Sequence, residues 1–81
     1  MRRPPAVLRI WLNWLDRRRA FQMAVEVRVN QICAGRDRSQ AYAAALELVQ
    51  ARGQTFQQLR FSMAVFYAVS NRPIWTRRPP V

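Results

Sequence analysis

Residues 23–30 read Met23-Ala24-Val25-Glu26-Val27-Arg28-Val29-Asn30, and the choice of fold turns on them. Met23, Val25, Val27 and Val29 alternate with Ala24, Glu26, Arg28 and Asn30. Alternation at period two, with three β-branched valines, favours a half-buried strand with one face turned inward. The competing reading is one long helix from Ala6 through Cys33. The alternation tips the choice to the strand.

Upstream, Val7, Ile10, Trp11, Trp14 and Leu15 recur at helical spacing between Ala6 and Arg19. Arg9 and the run Arg17-Arg18-Arg19 are their charged partners, and cations in a last turn suit the helix dipole. Pro4 and Pro5 leave residues 1–5 extended, with Pro5 suited to a first helical turn.

Downstream, Ala34-Gly35-Arg36-Asp37-Arg38 reads as a loop, with Asp37 or Ser39 able to cap the next helix. That helix, rich in Ala and Leu, is expected from about Ser39 to Arg52, with Gly53 at its C-terminal cap. Thr55-Phe56-Gln57-Gln58 has the form of a capping box. It opens a helix carrying Phe56, Leu59, Met63, Phe66 and Tyr67. That helix should end near Ser70-Asn71, because Pro73 cannot continue it. Met23, Met63 and Tyr67 read as packing residues, and Cys33 as a small buried hydrophobe. The tail, Ile74 to Val81, reads as an extended basic arm.

The expected fold is therefore mainly α. Two to three helices accompany a short N-terminal strand or extended segment and basic tails, in a non-globular chain shaped by its assembly. Three regions result: a basic, Trp-rich helical extension over 1–22, a strand–helix–helix module over 23–72, and a Pro/Arg tail over 73–81.

Charge narrows the function. The 81 residues carry 14 basic and 4 acidic side chains, a formal net charge of +10. Self-repulsion at that charge favours a polyanionic partner, either nucleic acid or an anionic membrane face. Every basic residue is Arg. A GC-rich genome supplies Arg codons in any case, but guanidinium forks also bind phosphate bidentately and stack on bases, which ammonium does not. The chain has no His and a single Cys, so a Cys/His catalytic pair, a zinc site and an internal disulfide all lack their residues. The four acids are far apart in sequence, and two glycines make no phosphate-binding loop. The chain is expected not to be an enzyme and to need no metal, cofactor or small-molecule substrate. Its longest uncharged run, Phe61 to Asn71, is far shorter than the roughly 20 apolar residues of a bilayer span. A start free of acids and carrying Arg2, Arg3 and Arg9 is compatible with an organelle-targeting segment, pointing to mitochondria.

The C-terminal third combines Arg60, Arg72, Arg77 and Arg78 with Tyr67 and Trp75. Arginines contact phosphate, and unstacked RNA bases lie on aromatic faces. With Arg28, Arg36 and Arg38 added, these arginines and Trp75 are the expected RNA contacts. Trp11 and Trp14, followed by Arg17–Arg19, suit either a membrane interface or a neighbouring protein, with the arginines meeting RNA in the second case.

Residues 23–78 resemble the family of small-subunit ribosomal protein twenty-one, in its mitochondrial branch. The corresponding features are Val25-Glu26-Val27-Arg28-Val29, Ser39-Gln40-Ala41-Tyr42, Gly53, Leu59-Arg60, Phe66-Tyr67, Pro73 and Arg77-Arg78. The family's basic cluster before the aromatic pair is reduced here to Arg60, and residues 1–22 have no counterpart. The resemblance implies helices spread over small-subunit rRNA in the mitochondrial matrix, with arginines on phosphates. Apolar faces including Phe61 and Val65 would meet other ribosomal proteins. The alternative is a non-catalytic accessory subunit of a respiratory or ATP synthase complex of the mitochondrial inner membrane. A DNA-binding regulator ranks last, because a recognition helix presents several polar side chains and the helix after Gly53 offers only Arg60 before Arg72.

Overall fold

In a computed structural model, residues 6–72 are described, and they form three α-helices. Helix α1 spans Ala6–Cys33, α2 spans Arg38–Gln50 and α3 spans Phe56–Ser70. The expected tail and its Trp75, Arg77 and Arg78 lie outside the described residues.

The strand over 23–30 is not formed. Those residues belong to α1, which runs unbroken for 28 residues, about 42 Å at the helical rise. The boundary expected at residue 22 therefore falls inside a helix. Burial shows why. Val25, Val29 and Ile32 are buried, and their spacing of four and three residues is one helical face. Val27, which a strand would place beside Val25 and Val29, is 55% exposed. Val29→Ser should therefore cost about 2 kcal/mol, and Val27→Ser under about 0.5 kcal/mol. Thermal melts followed by circular dichroism read both; equal losses would restore the strand.

The loops match the sequence reading more closely. Asp37 caps α2: its Oδ1 accepts from the Gln40 N–H at 2.8 Å, and the Gln40 Oε1 accepts from the Asp37 N–H at 3.1 Å. Thr55 and Gln58 make the same reciprocal pair at the start of α3. α2 ends at Gln50, before Arg52, and Gly53 turns the loop beyond it with φ +77°.

Helix α3 lies in the middle, packed on both α2 and α1, which touch each other less. The core comprises Val25, Val29, Ile32, Ala41, Ala45, Val65 and Val69. Ala41 and Ala45 are fully buried, so α2 can approach α3 closely. Among the described residues Val65 and Val69 are the largest fully buried side chains. Phe21, Leu48, Phe61 and Phe66 pack around this interior only partly buried. A core this small leaves a chain of this length marginally stable.

Several expected packing residues are outside it. Tyr67, Met23 and Met63 are 72%, 62% and 55% exposed. The helical register that buries Val65 and Val69 turns Met63 and Tyr67 to solvent. Cys33 is half-buried against the core.

Candidate nucleic-acid interface

Arginine and aromatic side chains converge where α1 passes the start of α3. Phe21 of α1 meets Phe61 of α3 edge to face, with ring centroids 5.9 Å apart at 86°. Arg18, Arg17 and Trp14 lie within two turns of Phe21 towards the chain's start. Farther along, Arg72 donates to the Asn30 Oδ1 at 2.9 Å, so α1 and α3 run in the same direction. α1 therefore continues past the beginning of α3. The notch between them is a cleft of about 1090 Å³ lined by Trp14, Arg17, Arg18, Phe21, Gln54, Gln57, Gln58, Arg60, Phe61 and Ser62. Among the described residues no carboxylate lines it.

The guanidiniums here lie over rings. The Arg18 Cζ is 5.5 Å from the Trp14 ring centroid, and the Arg60 Cζ is 5.0 Å from that of Phe21. A guanidinium on a ring face is attracted to the ring quadrupole. It also keeps its outward N–H edge available for a phosphate or carboxylate.

Gln54 fixes the far wall. Its Nε2 donates to the Val49 carbonyl at 3.2 Å and the Ala51 carbonyl at 3.0 Å, closing the C-terminal end of α2. Its Oε1 accepts from the buried Ser62 hydroxyl at 2.7 Å. One carboxamide thus ties the end of α2 to the first turns of α3, and the polar Ser62 enters the interior with its hydroxyl satisfied.

Of the expected RNA contacts among the described residues, only Arg60 lines this cleft. Arg36 and Arg38 serve helix ends instead: Arg36 donates to the Ile32 carbonyl at 2.9 Å, and Arg38 to the Ser70 carbonyl at 3.0 Å. Each cation meets the negative end of a helix, α1 and α3 respectively. Arg72 is engaged with Asn30. Arg28 is exposed and donates to the Gln31 Oε1 at 3.3 Å. Trp75, Arg77 and Arg78 are among the residues not described.

Of the expected contacts for a protein or membrane, Trp11 and Trp14 are 57% and 52% exposed. Phe61 is half-buried on the cleft wall. Val65 is fully buried in the chain's own core, which removes it from any partner's reach.

The structure adds Phe21, Gln54 and Gln57 to the site, together with Arg17 and Arg18, which the sequence assigns to RNA in one of two readings of the segment after Trp14. Phe21 carries a signal in the sequence, for it comes seven residues after Trp14 on the same helical face. Arg17–Arg19, expected in a last helical turn, are mid-helix and remote from either dipole end, and α1 presents Arg17 and Arg18 to the cleft. Gln54 carries no such signal.

Beyond the cleft, residues 6–14 of α1 are exposed throughout. Val7, Ile10, Trp11 and Trp14 continue the helical face that lower down carries Phe21, Val25, Val29 and Ile32. The stripe thus runs off the bundle with no described helix against it. Comparison with models of known families, with curated proteins and with solved structures gives no match for this chain.

Proposed function

We propose that this chain is a non-catalytic structural protein of a ribonucleoprotein, a constituent of the small ribosomal subunit of mitochondria. It binds rRNA through guanidiniums and other ribosomal proteins through its apolar helix face. The observation that carries the reading is the cleft, whose described lining residues include three arginines and three aromatic rings and no acid. Phosphate and unpaired bases are the ligands such a lining suits. The net charge of +10 supports it from outside the cleft.

The test has two parts. In native extract separated on a sucrose gradient, the chain should travel with ribosomal particles and shift to light fractions after ribonuclease. The purified chain should bind RNA with an affinity that falls steeply as salt rises, because counterions are released on binding. Sedimentation away from ribosomes, or RNA binding indifferent to salt, overturns the proposal.

The exposed stripe of α1 favours a second reading, an accessory subunit of an inner-membrane complex. Among the described residues no helix is long and apolar enough to cross a membrane. The stripe would then lie against a neighbouring subunit or in the interface, with Trp11 and Trp14 at headgroup depth. Co-purification with detergent-solubilised membrane complexes, away from ribosomes, is the result that would replace the first reading with this one.

A further inference from the structure

We propose that the cleft between α1 and α3 takes an unpaired nucleotide of RNA, with its base on the Trp14 ring and its phosphate on Arg17 and Arg60. This rests on the RNA-binding reading and specifies the form of RNA that the site selects. The argument begins with the rings. Phe21 and Phe61 meet edge to face, and the Phe21 ring is covered by the Arg60 guanidinium. Trp14 keeps about half of its surface exposed at the mouth of the same cleft, with Arg18 on its ring. Each of the two rings carries one guanidinium, but Phe21 is only partly exposed and also packs on Phe61, so the more open Trp14 is the aromatic surface a base can reach. A base within a duplex is stacked on both sides and has no free π-face to offer. An unpaired base has one.

The arginines complete the selection. Arg60 is held over Phe21 with its N–H edge free, and Arg17 stands on the opposite wall. A phosphate entering between them meets two cations and no carboxylate. Gln57, exposed on the α3 wall, offers a donor and an acceptor to a base edge. Trp11 makes a sharp contrast. It is equally exposed, one turn away on the same helix, and does not line the cleft.

The experiment uses the full chain, a short fluorescent oligouridylate as the single strand, and the same strand paired with oligoadenylate. Fluorescence anisotropy at one fixed salt concentration reads affinity for Trp14→Ala, Trp14→Phe and Trp11→Ala. Trp14→Ala should weaken single-strand binding about tenfold and duplex binding less than about twofold. Trp14→Phe, which keeps a ring, should restore most of the loss, and Trp11→Ala should match the parent chain. Equal losses on single strand and duplex, or equal damage from Trp11→Ala, overturn the inference. A parent chain that binds both probes while Trp14→Ala is harmless sinks this inference and leaves RNA binding standing. A parent chain that binds neither probe removes both.

Discussion

Val65→Asp should abolish the cooperative unfolding transition of this chain, and Met63→Asp, two residues away on the same helix, should preserve it. Val65 is fully buried among valines and alanines, while Met63 is 55% exposed. A carboxylate at position 65 would be desolvated at a cost of several kcal/mol, and keeping it protonated costs as well. Native stability at this length is on the order of 4–12 kcal/mol, and an interior of small side chains under high net charge belongs at the low end. The substitution therefore removes most or all of it. Aspartate at position 63 stays in water on a helix that already has its cap, and it lowers the chain's self-repulsion. Its cost should stay within about 1 kcal/mol. Urea titration followed by far-ultraviolet circular dichroism, without nucleic acid, separates the outcomes. A parent-like midpoint for Val65→Asp would mean that α3 does not pack on this face.

The same register explains what can be read from the sequence. The capping box at Thr55 is visible there, and so is Asp37 as one of two candidate caps beside Ser39, because a cap is a local device of a few adjacent residues. The mainly α architecture and the three helical stretches are visible for the same reason. The strand expected over 23–30 gives Val27 a weight that its exposure denies. Three valines in alternation satisfy period two, but Val25, Val29 and Ile32 satisfy the helical period over a longer span, and the packing of α3 selects the longer pattern. Because α1 then runs on to Cys33, the arginines at 17–19 change meaning. They stop being a helix terminus, and Arg17 and Arg18 become part of one wall of a cleft. Its other wall comes from residues about 40 positions later in the chain, at Gln57, Gln58 and Arg60. Such a juxtaposition depends on the direction in which α3 returns, which no local pattern encodes. Arg36 and Arg38 err in the opposite sense. In composition they are free cations, and only the fold shows the helix carbonyls they hold.

Replacing Arg17, Arg18 and Arg60 together by Gln should weaken binding to single-stranded RNA about a hundredfold at moderate salt. Replacing Arg3, Arg9 and Arg52 together by Gln should weaken it several-fold less. The two variants lose the same charge, so long-range attraction falls equally, and the difference between them measures the cleft alone. For a single strand, every phosphate left without its arginine makes the plot of log affinity against log salt shallower by roughly 0.7. The phosphate seated on Arg17 and Arg60 predicts a slope shallower by roughly 0.7 in the cleft variant and nearly unchanged in the other. Folding does not confound the comparison. Arg17, Arg18 and Arg60 are exposed, and Arg18 and Arg60 touch ring faces and no helix end. Arg36, Arg38 and Arg72, which bridge or close helix ends, are left intact in both. Equal losses and equal slopes in the two variants would show that the chain holds RNA by its overall charge, with no preferred seat. A steep parental slope that becomes shallower only in the cleft variant would place the phosphates between α1 and α3, because there guanidiniums from two helices face one opening.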